Sequence, residues 1–309
     1  MAYVVGGLAW LWANRESYDV IHCHQLLSPA TIGALARRLT GRPALAKLAC
    51  SGRYGDVSLI RSHPFAWMRR LILRGNLSAF ICLNDEMERE LAGWLGPVQV
   101  HRVPNGIDAG AFEPRDAGAR AALRSRLGVS GFALVFTGAL RAQKNLGLAI
   151  SALARLPDRV HLWIVGDGAE RSRLASLAEA SPARGRVHFV GSVDDVRPHL
   201  FASDAFVLPS VAEGVSNALL EAMAAGLPPI VSAIPGNASV VENGKEGLLF
   251  DPADEADLAR AVNELESDER KARELGLAAR NRVLRDLDLE RIARRYEEIY
   301  ATLIASQRR

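Results

Sequence analysis

The feature that most limits how this chain can fold is a regular alternation of short β-branched runs with helical patterns, set out in two series. In the first, the strand-like segments 19–24 (DVIHCH), 46–50 (AKLAC) and 78–84 (SAFICLN) precede helical patterns at 29–39, 64–74 and 85–94, and a last run, 98–108 (VQVHRVPNGID), follows. In the second, 132–138 (FALVFTG), 160–166 (VHLWIVG), 187–191 (VHFVG), 205–210 (AFVLPS) and 228–232 (PPIVS) alternate with helices from Leu146, from Ala169, near Asp195 and through Glu221, and further helices follow Asp254. Strands joined through a helix run parallel, because the crossover carries the chain back to its starting edge. The expected fold class is α/β, with two doubly wound, Rossmann-like domains. Residues 109–118 are small and polar, include Pro114, and read as the linker.

The second series makes a complete doubly wound unit. The first enters at 19–24 after one short helical stretch, so an opening strand with a Gly-rich turn has no counterpart, and a truncated N-terminus is expected. The expected division is 1–110 for the first domain, 111–288 for the second and 289–309 for a closing helix. A length of 309 residues suits two domains of ordinary size.

Charge and cysteine usage narrow the function classes. The net charge is only +3, with no basic stripe of the kind that marks a nucleic-acid partner. The balance is uneven: through Ser130 there are 16 basic and 10 acidic side chains, against 22 and 25 in the remainder. The first half therefore favours anionic company. Cys23, Cys50 and Cys82 are odd in number and far apart, which argues for core thiols in a reducing compartment. No apolar run is long enough to span a membrane, and residues 1–12 lack the basic start of a secretory signal, so a cytoplasmic location is expected.

Residues 209–226 read PSVAEGVSNALLEAMAAG and place Glu213 and Glu221 eight positions apart. The preceding strand ends at Pro209-Ser210, and Ser216 or Asn217 is a good N-cap for the helix that follows. In an open parallel sheet, ligands bind beyond the carboxyl ends of the strands, where this loop falls. The amides from Val215 to Ala218 would form a positive helix end suited to phosphate, and two carboxylates beside it could accept from vicinal hydroxyls. The plainer alternative makes Glu221 a dipole partner and Glu213 a solvated loop charge. Gly138, Arg141 and Lys144 in FTGALRAQKN follow another strand and so share that sheet edge. A guanidinium fork and a compact ammonium beside a glycine turn suit a diphosphate.

Taken with Gly166-Asp167-Gly168, Pro104-Asn105-Gly106-Ile107-Asp108, Ser203-Asp204-Ala205 and Glu221-Ala222-Met223-Ala224, these residues resemble the retaining GT-B glycosyltransferases of family 4. The resemblance implies two domains facing across a cleft, with the closing helix returning to the first. It implies a nucleoside-diphosphate sugar as donor, a glycan or lipid-linked acceptor, retention of anomeric configuration, and neither cofactor nor metal. By position, Arg141 and Lys144 would hold the diphosphate, Glu221 the ribose hydroxyls and Glu213 the transferred sugar. The amides of Gly214, Val215, Ser216 and Asn217 would bind sugar and phosphate, Gly138 would shape the turn, and Gly191 to Val193 would border the base. His24 would lie near the reacting sugar, so the implied catalytic set is His24, Arg141, Lys144 and Glu213.

Other readings of the same chain stay open. His22 and His24 point to one side of a strand, where a metal pair or a core histidine is also conceivable. A phosphorylase, an epimerase, or a nucleotide-sugar binder with little turnover are the alternatives in function. Gly166-Asp167-Gly168 alone is a weak signal, and Asp286-Leu287-Asp288 reads as a helix boundary. Residues 51–56 (SGRYGD) resemble acceptor-side loops of the family. The segment 64–74 (PFAWMRRLILR) mixes aromatics with arginines; an ordinary helix packed on the first sheet is the favoured reading, with an anionic membrane surface as the alternative.

Overall fold

The computed structural model describes residues 2–307. Two compact units emerge. Unit 1 comprises the chain up to Asn105, the tetrapeptide Ala212–Val215 and the chain from Glu290 onward; unit 2 comprises Gly106–Val211 and Ser216–Leu289.

In unit 1, α1 (Ala2–Ala13), β1 (Ile21–His24), α2 (Ser28–Thr40), β2 (Ala44–Lys47), α3 (Asp56–Arg61), α4 (Ala66–Asn76), β3 (Ala79–Cys82), α5 (Asp85–Leu95) and β4 (Val100–Arg102) follow in order. The strands form a parallel sheet in the order β1-β2-β3-β4. Every residue of β3 is buried, whereas β1 alternates, turning Ile21 and Cys23 inward and leaving His22 and His24 on the other face. Strands β2 and β4 are short, and one further amide on each continues the pairing, Leu48 donating to the Ile81 carbonyl and Val103 to the Cys82 carbonyl.

Unit 2 contains α6 (Ala117–Leu127), β5 (Phe132–Thr137), α7 (Leu146–Leu153), β6 (Val160–Val165), α8 (Arg171–Ala180), β7 (Val187–Gly191), α9 (Arg197–Ala202), β8 (Ala205–Leu208), α10 (Asn217–Ala224), β9 (Pro229–Ser232), α11 (Pro235–Ala238), β10 (Leu248–Phe250), α12 (Glu255–Ser267) and α13 (Glu269–Arg282). Helix α12 starts where Asp254 accepts from the amides of Ala256 and Asp257, a side-chain cap. The six parallel strands run in the order β10-β9-β8-β5-β6-β7. Counted from β5 within this unit, that is the doubly wound order, with its reversal between β5 and β8. A π-helical turn, Val283–Leu287, links α13 to the closing helix α14 (Leu289–Gln307). On the face of the first sheet, α14 packs Ile292, Ile299 and Leu303 against Leu45, Ala79, Ile81 and Val103.

The 64–74 segment forms a helix with one well-buried residue and an open aromatic side. Helix α4 begins at Ala66 and buries only Leu73 fully; Phe65, Trp67, Met68 and Leu71 are exposed. It packs mainly on α2, with further contacts to α3 and α5, and its aromatic side is uncovered.

Candidate active site

The reversal between β5 and β8 brings two loops to one sheet edge in unit 2. The amide of Val211, just past β8, donates to the Gln143 carbonyl at 2.9 Å and so ties the loops together. After β5 the chain makes a tight turn in which the Lys144 amide donates to the Arg141 carbonyl at 2.9 Å. Arg141 is exposed, Lys144 half-buried. Asn145 closes the turn in the left-handed region, φ 50°, with its side-chain amide donating to the Pro252 carbonyl.

Gly166-Asp167-Gly168 supports this turn from behind. The Leu140 amide donates to the Asp167 carbonyl, and the Glu170 amide to the Leu140 carbonyl. A Cβ on Gly166 would sit 2.0 Å from the Gly138 carbonyl oxygen, and one on Gly168 2.5 Å from that of Leu140. Only glycine admits so close a backbone approach, which gives this weak motif a structural purpose.

Beyond β8, Ser216 precedes α10, whose first residue is Asn217. Glu221 stands one turn into α10, half-buried, and burial raises its carboxyl above the ordinary value. Among the described residues no hydrogen bond or ion pair reaches this carboxylate. Gly191, with φ 84°, ends β7, and the half-buried Val193 follows it, on the far side of β6. Buried Ser210, Ser232 and Asn237 brace the ends of β8 and β9: the Ser232 hydroxyl donates to the Ser210 carbonyl, and the Asn237 side-chain amide donates to the Ser232 carbonyl at 3.0 Å.

Glu213, Gly214 and Val215 group differently from the rest of the expected donor set. The tetrapeptide Ala212–Val215 clusters with unit 1, held there by three successive carbonyls. Glu213 accepts from the Ser51 hydroxyl at 3.5 Å, Gly214 from Asn84 at 3.1 Å and Val215 from Asn105 at 2.8 Å. Lys47 in turn donates to the Asn105 side-chain oxygen at 2.7 Å. A Cβ on Gly214 would lie 2.2 Å from the Ala49 carbonyl oxygen, so glycine is required here too. Glu213 itself is buried. The Ser51–Asp56 loop is fixed by Asp56, whose carboxylate accepts from the amides of Leu26 at 3.0 Å, Ala49 at 2.7 Å and Cys50 at 3.2 Å.

His22 and His24 share a face of β1, their rings stacked with centroids 4.5 Å apart. The Nδ1 of His22 lies 2.6 Å from the Tyr300 hydroxyl. Burial, then His24 and Lys47, push the His22 imidazole down to about 4, which marks it as a neutral core group. His24 is exposed at the strand end; burial and Lys47 lower it as well, so it too is neutral near pH 7. Among the described residues no group of three or more His, Cys, Asp or Glu side chains is placed to hold a metal ion. The cysteines are free thiols, and burial pushes Cys23 up to about 11 and Cys50 and Cys82 up to about 12.

With this geometry in view, two family models match the chain: "Glycosyl transferases group 1" over residues 125–282 and "Glycosyl transferase 4-like domain" over residues 1–106. The chain belongs to the group 1 glycosyltransferases. It is 28% identical over 314 residues to the UDP-Gal:alpha-D-GlcNAc-diphosphoundecaprenol alpha-1,3-galactosyltransferase of Escherichia coli, covering 95% of this chain and 78% of that one. A 126-residue stretch is 40% identical to the lipopolysaccharide core biosynthesis glycosyltransferase LpsE of Rhizobium meliloti, covering 41% of this chain and 37% of that one. Its fold matches that of Anabaena Alr3699/HepE solved with UDP-glucose, with a TM-score of 0.86 at 22% identity over 96% of this chain and 82% of that one. The fold is therefore GT-B, with two parallel sheets.

Some residues of this glycosyltransferase take structural roles that the sequence did not disclose. Asp204 of the Ser203-Asp204-Ala205 motif binds Arg120 at 2.6 Å and Arg124 at 3.0 Å and accepts from the Ala133 amide, joining α6 to the starts of β5 and β8. Asp286 pairs with Arg282 and Arg285, and Leu287 and Asp288 bridge to Ile107. Ser51 and Asn84 anchor the tetrapeptide directly and Lys47 does so through Asn105. Their only sequence signal is a polar residue at or just past a strand's carboxyl end.

Proposed function

We propose that this glycosyltransferase moves a sugar from a nucleoside-diphosphate sugar to a glycan or lipid-linked acceptor, with retention and without a metal. One observation carries the reading most strongly: the β5/β8 reversal sets the Arg141-to-Lys144 turn and the start of α10 on one edge, with Glu221 a desolvated carboxylate lacking a protein partner. A half-buried carboxylate in that state is costly unless a ligand donates to it, and a ribose diol offers two donors. Arg141 and Lys144 suit the diphosphate, and Gly138 keeps the turn open to it. Ser216, Asn217 and the preceding Val215 supply amides, Glu213 and Gly214 meet the sugar, and the turn from Gly191 to Val193 borders the base.

In the transfer step the bond from the anomeric carbon to the leaving phosphate oxygen breaks. The acceptor hydroxyl oxygen bonds to the same carbon on the same face, and the leaving phosphate oxygen takes its proton. Arg141 and Lys144 stabilise the charge that gathers on the diphosphate. His24, neutral near pH 7, acts as a hydrogen-bonding group for the sugar. The printed name of the E. coli relative includes a diphosphoundecaprenol acceptor. A lipid-linked acceptor also suits helix α4, which exposes Trp67 and Leu71 together with Arg70 and Arg74. No helix among the described residues is long and apolar enough to cross a membrane, so this contact would be peripheral.

Calorimetric titration with UDP-, GDP- and ADP-glucose, with and without EDTA, tests the donor site. One donor should saturate, with an affinity indifferent to EDTA, and proton NMR of the product should show the donor's anomeric configuration. No binding of any donor, dependence on metal, or an inverted product would each overturn the corresponding part of the reading. Sedimentation with phosphatidylglycerol vesicles tests the membrane face, where Trp67→Glu should abolish pelleting and unchanged pelleting would refute it.

A further inference from the structure

Unit 2 has a second concavity at the opposite edge of its sheet, where the strands begin. A cavity of about 560 Å³ opens beside Phe132 of β5, Arg159 just before β6, Asp204 just before β8 and Pro228 just before β9. The six residues of β5 separate it from Gly138, about 20 Å at the rise of an extended strand. Its volume lies in the range of small-molecule sites. The floor is apolar, made by Leu200, Phe201, Leu227 and Leu265.

Backbone packing frames this cavity. A Cβ on Gly131 would fall 2.1 Å from the Arg159 carbonyl oxygen, and one on Gly276 2.1 Å from that of Gly226, so backbone meets backbone there without room for a side chain. The rim is charged, and its carboxylates are already matched. Asp204 takes Arg120 and Arg124, Glu266 takes Arg159 and Glu269 takes Arg273. Arg115 differs: its guanidinium lies 5.0 Å over the Phe201 ring, exposed, with no carboxylate partner among the described residues. Four arginines, Arg115, Arg120, Arg159 and Arg273, thus line the cavity with three carboxylates, and the one without an ion pair is steadied on a ring at the edge of the apolar floor.

We propose that this cavity is a second ligand site, for a small amphipathic organic anion whose charged group pairs with Arg115 and whose apolar body lies on Leu200, Phe201, Leu227 and Leu265. None of its residues belongs to the donor edge, so the proposal stands independently of the donor reading. The excess of guanidinium selects the anion, since an aromatic-backed arginine retains its hydrogen-bond donors for a carboxylate, sulfonate or phosphate. The dry floor selects an apolar body over a free inorganic ion.

The probe is 8-anilinonaphthalene-1-sulfonate, titrated by fluorescence and calorimetry into the full chain. Saturable one-to-one binding is expected, undiminished by millimolar UDP. Arg115→Glu, at an exposed position, should weaken it by about tenfold or more, the loss expected of one charge-assisted hydrogen bond. Ala272→Phe, which fills the cavity, should abolish it, and Trp67→Glu should leave it intact. The proposal fails if the probe does not saturate, if UDP displaces it, if Trp67→Glu removes it, or if Arg115→Glu binds it as the parent does. Should Ala272→Phe lower the thermal midpoint sharply, the Arg115→Glu affinity alone decides.

Discussion

The two sheets share a parallel α/β plan and differ in how each builds a usable edge. In unit 2 the strand order reverses between β5 and β8, so helices leave the sheet in opposite directions there and two loops are free to frame a ligand. In unit 1 the order is simply β1-β2-β3-β4, without a reversal among the described strands. Its strand ends are organised by side chains instead: Asp56 gathers three amides, and Ser51, Asn84 and Asn105 hold the carbonyls of Glu213, Gly214 and Val215. One edge follows from topology. The other depends on polar anchors and a glycine.

That contrast can be broken most severely at Gly214. Gly214→Val should push the tetrapeptide off the Ala49 carbonyl, lower stability by about 1–3 kcal/mol and reduce transfer by about a hundredfold or more. Urea unfolding and steady-state kinetics measure the two, and a variant with normal turnover would show that the captured tetrapeptide is dispensable. In the topological edge, Lys144→Ala should weaken donor binding by about tenfold to a hundredfold, since it removes a charge-assisted contact with the ligand. Equal donor affinity in the parent and the variant would remove Lys144 from the site.

A smaller effect sharpens the contrast from below the sheet. Asp204→Asn should cost about 1–2 kcal/mol of stability, because Arg120 and Arg124 lose their shared partner, yet shift donor affinity by less than about twofold. A large loss of donor affinity would mean that the start of β5 governs its far end.

The smallest expected effect is on pH. Because burial raises the Glu221 carboxyl in the folded state, the folded chain still holds a proton that the unfolded chain has shed, and stability falls as pH rises through that window. Donor affinity should run the other way, rising with pH as the carboxylate forms and accepts from the ribose. Calorimetry across the acidic range should show this slope in the parent and a flat line in Glu221→Gln; parallel slopes would place the titration elsewhere.

Much of this was legible in the residues. The alternation of strand and helix patterns, the Arg141 and Lys144 pair, and the Glu213 to Glu221 spacing are local, and periodicity and turn chemistry act over a few residues. Even so, an amphipathic pattern such as that of 64–74 shows that a face is apolar but not what covers it. Similarly, Glu213 and Glu221 lie on one short stretch, yet they group with different units.

By itself the sequence determined the α/β class, the order of elements and which side chains stand at strand ends, since backbone sterics and hydrophobic period act on neighbours along the chain. Tertiary structure alone decided which strands became neighbours, that three side chains of unit 1 hold the carbonyls of residues 213–215, and that a cavity opens where the strands of unit 2 begin. Those outcomes depend on contacts between residues far apart in the chain, such as Asn84 with Gly214, 130 positions apart, and Ser51 with Glu213, 162 apart. Their energies exist only once the chain has closed on itself.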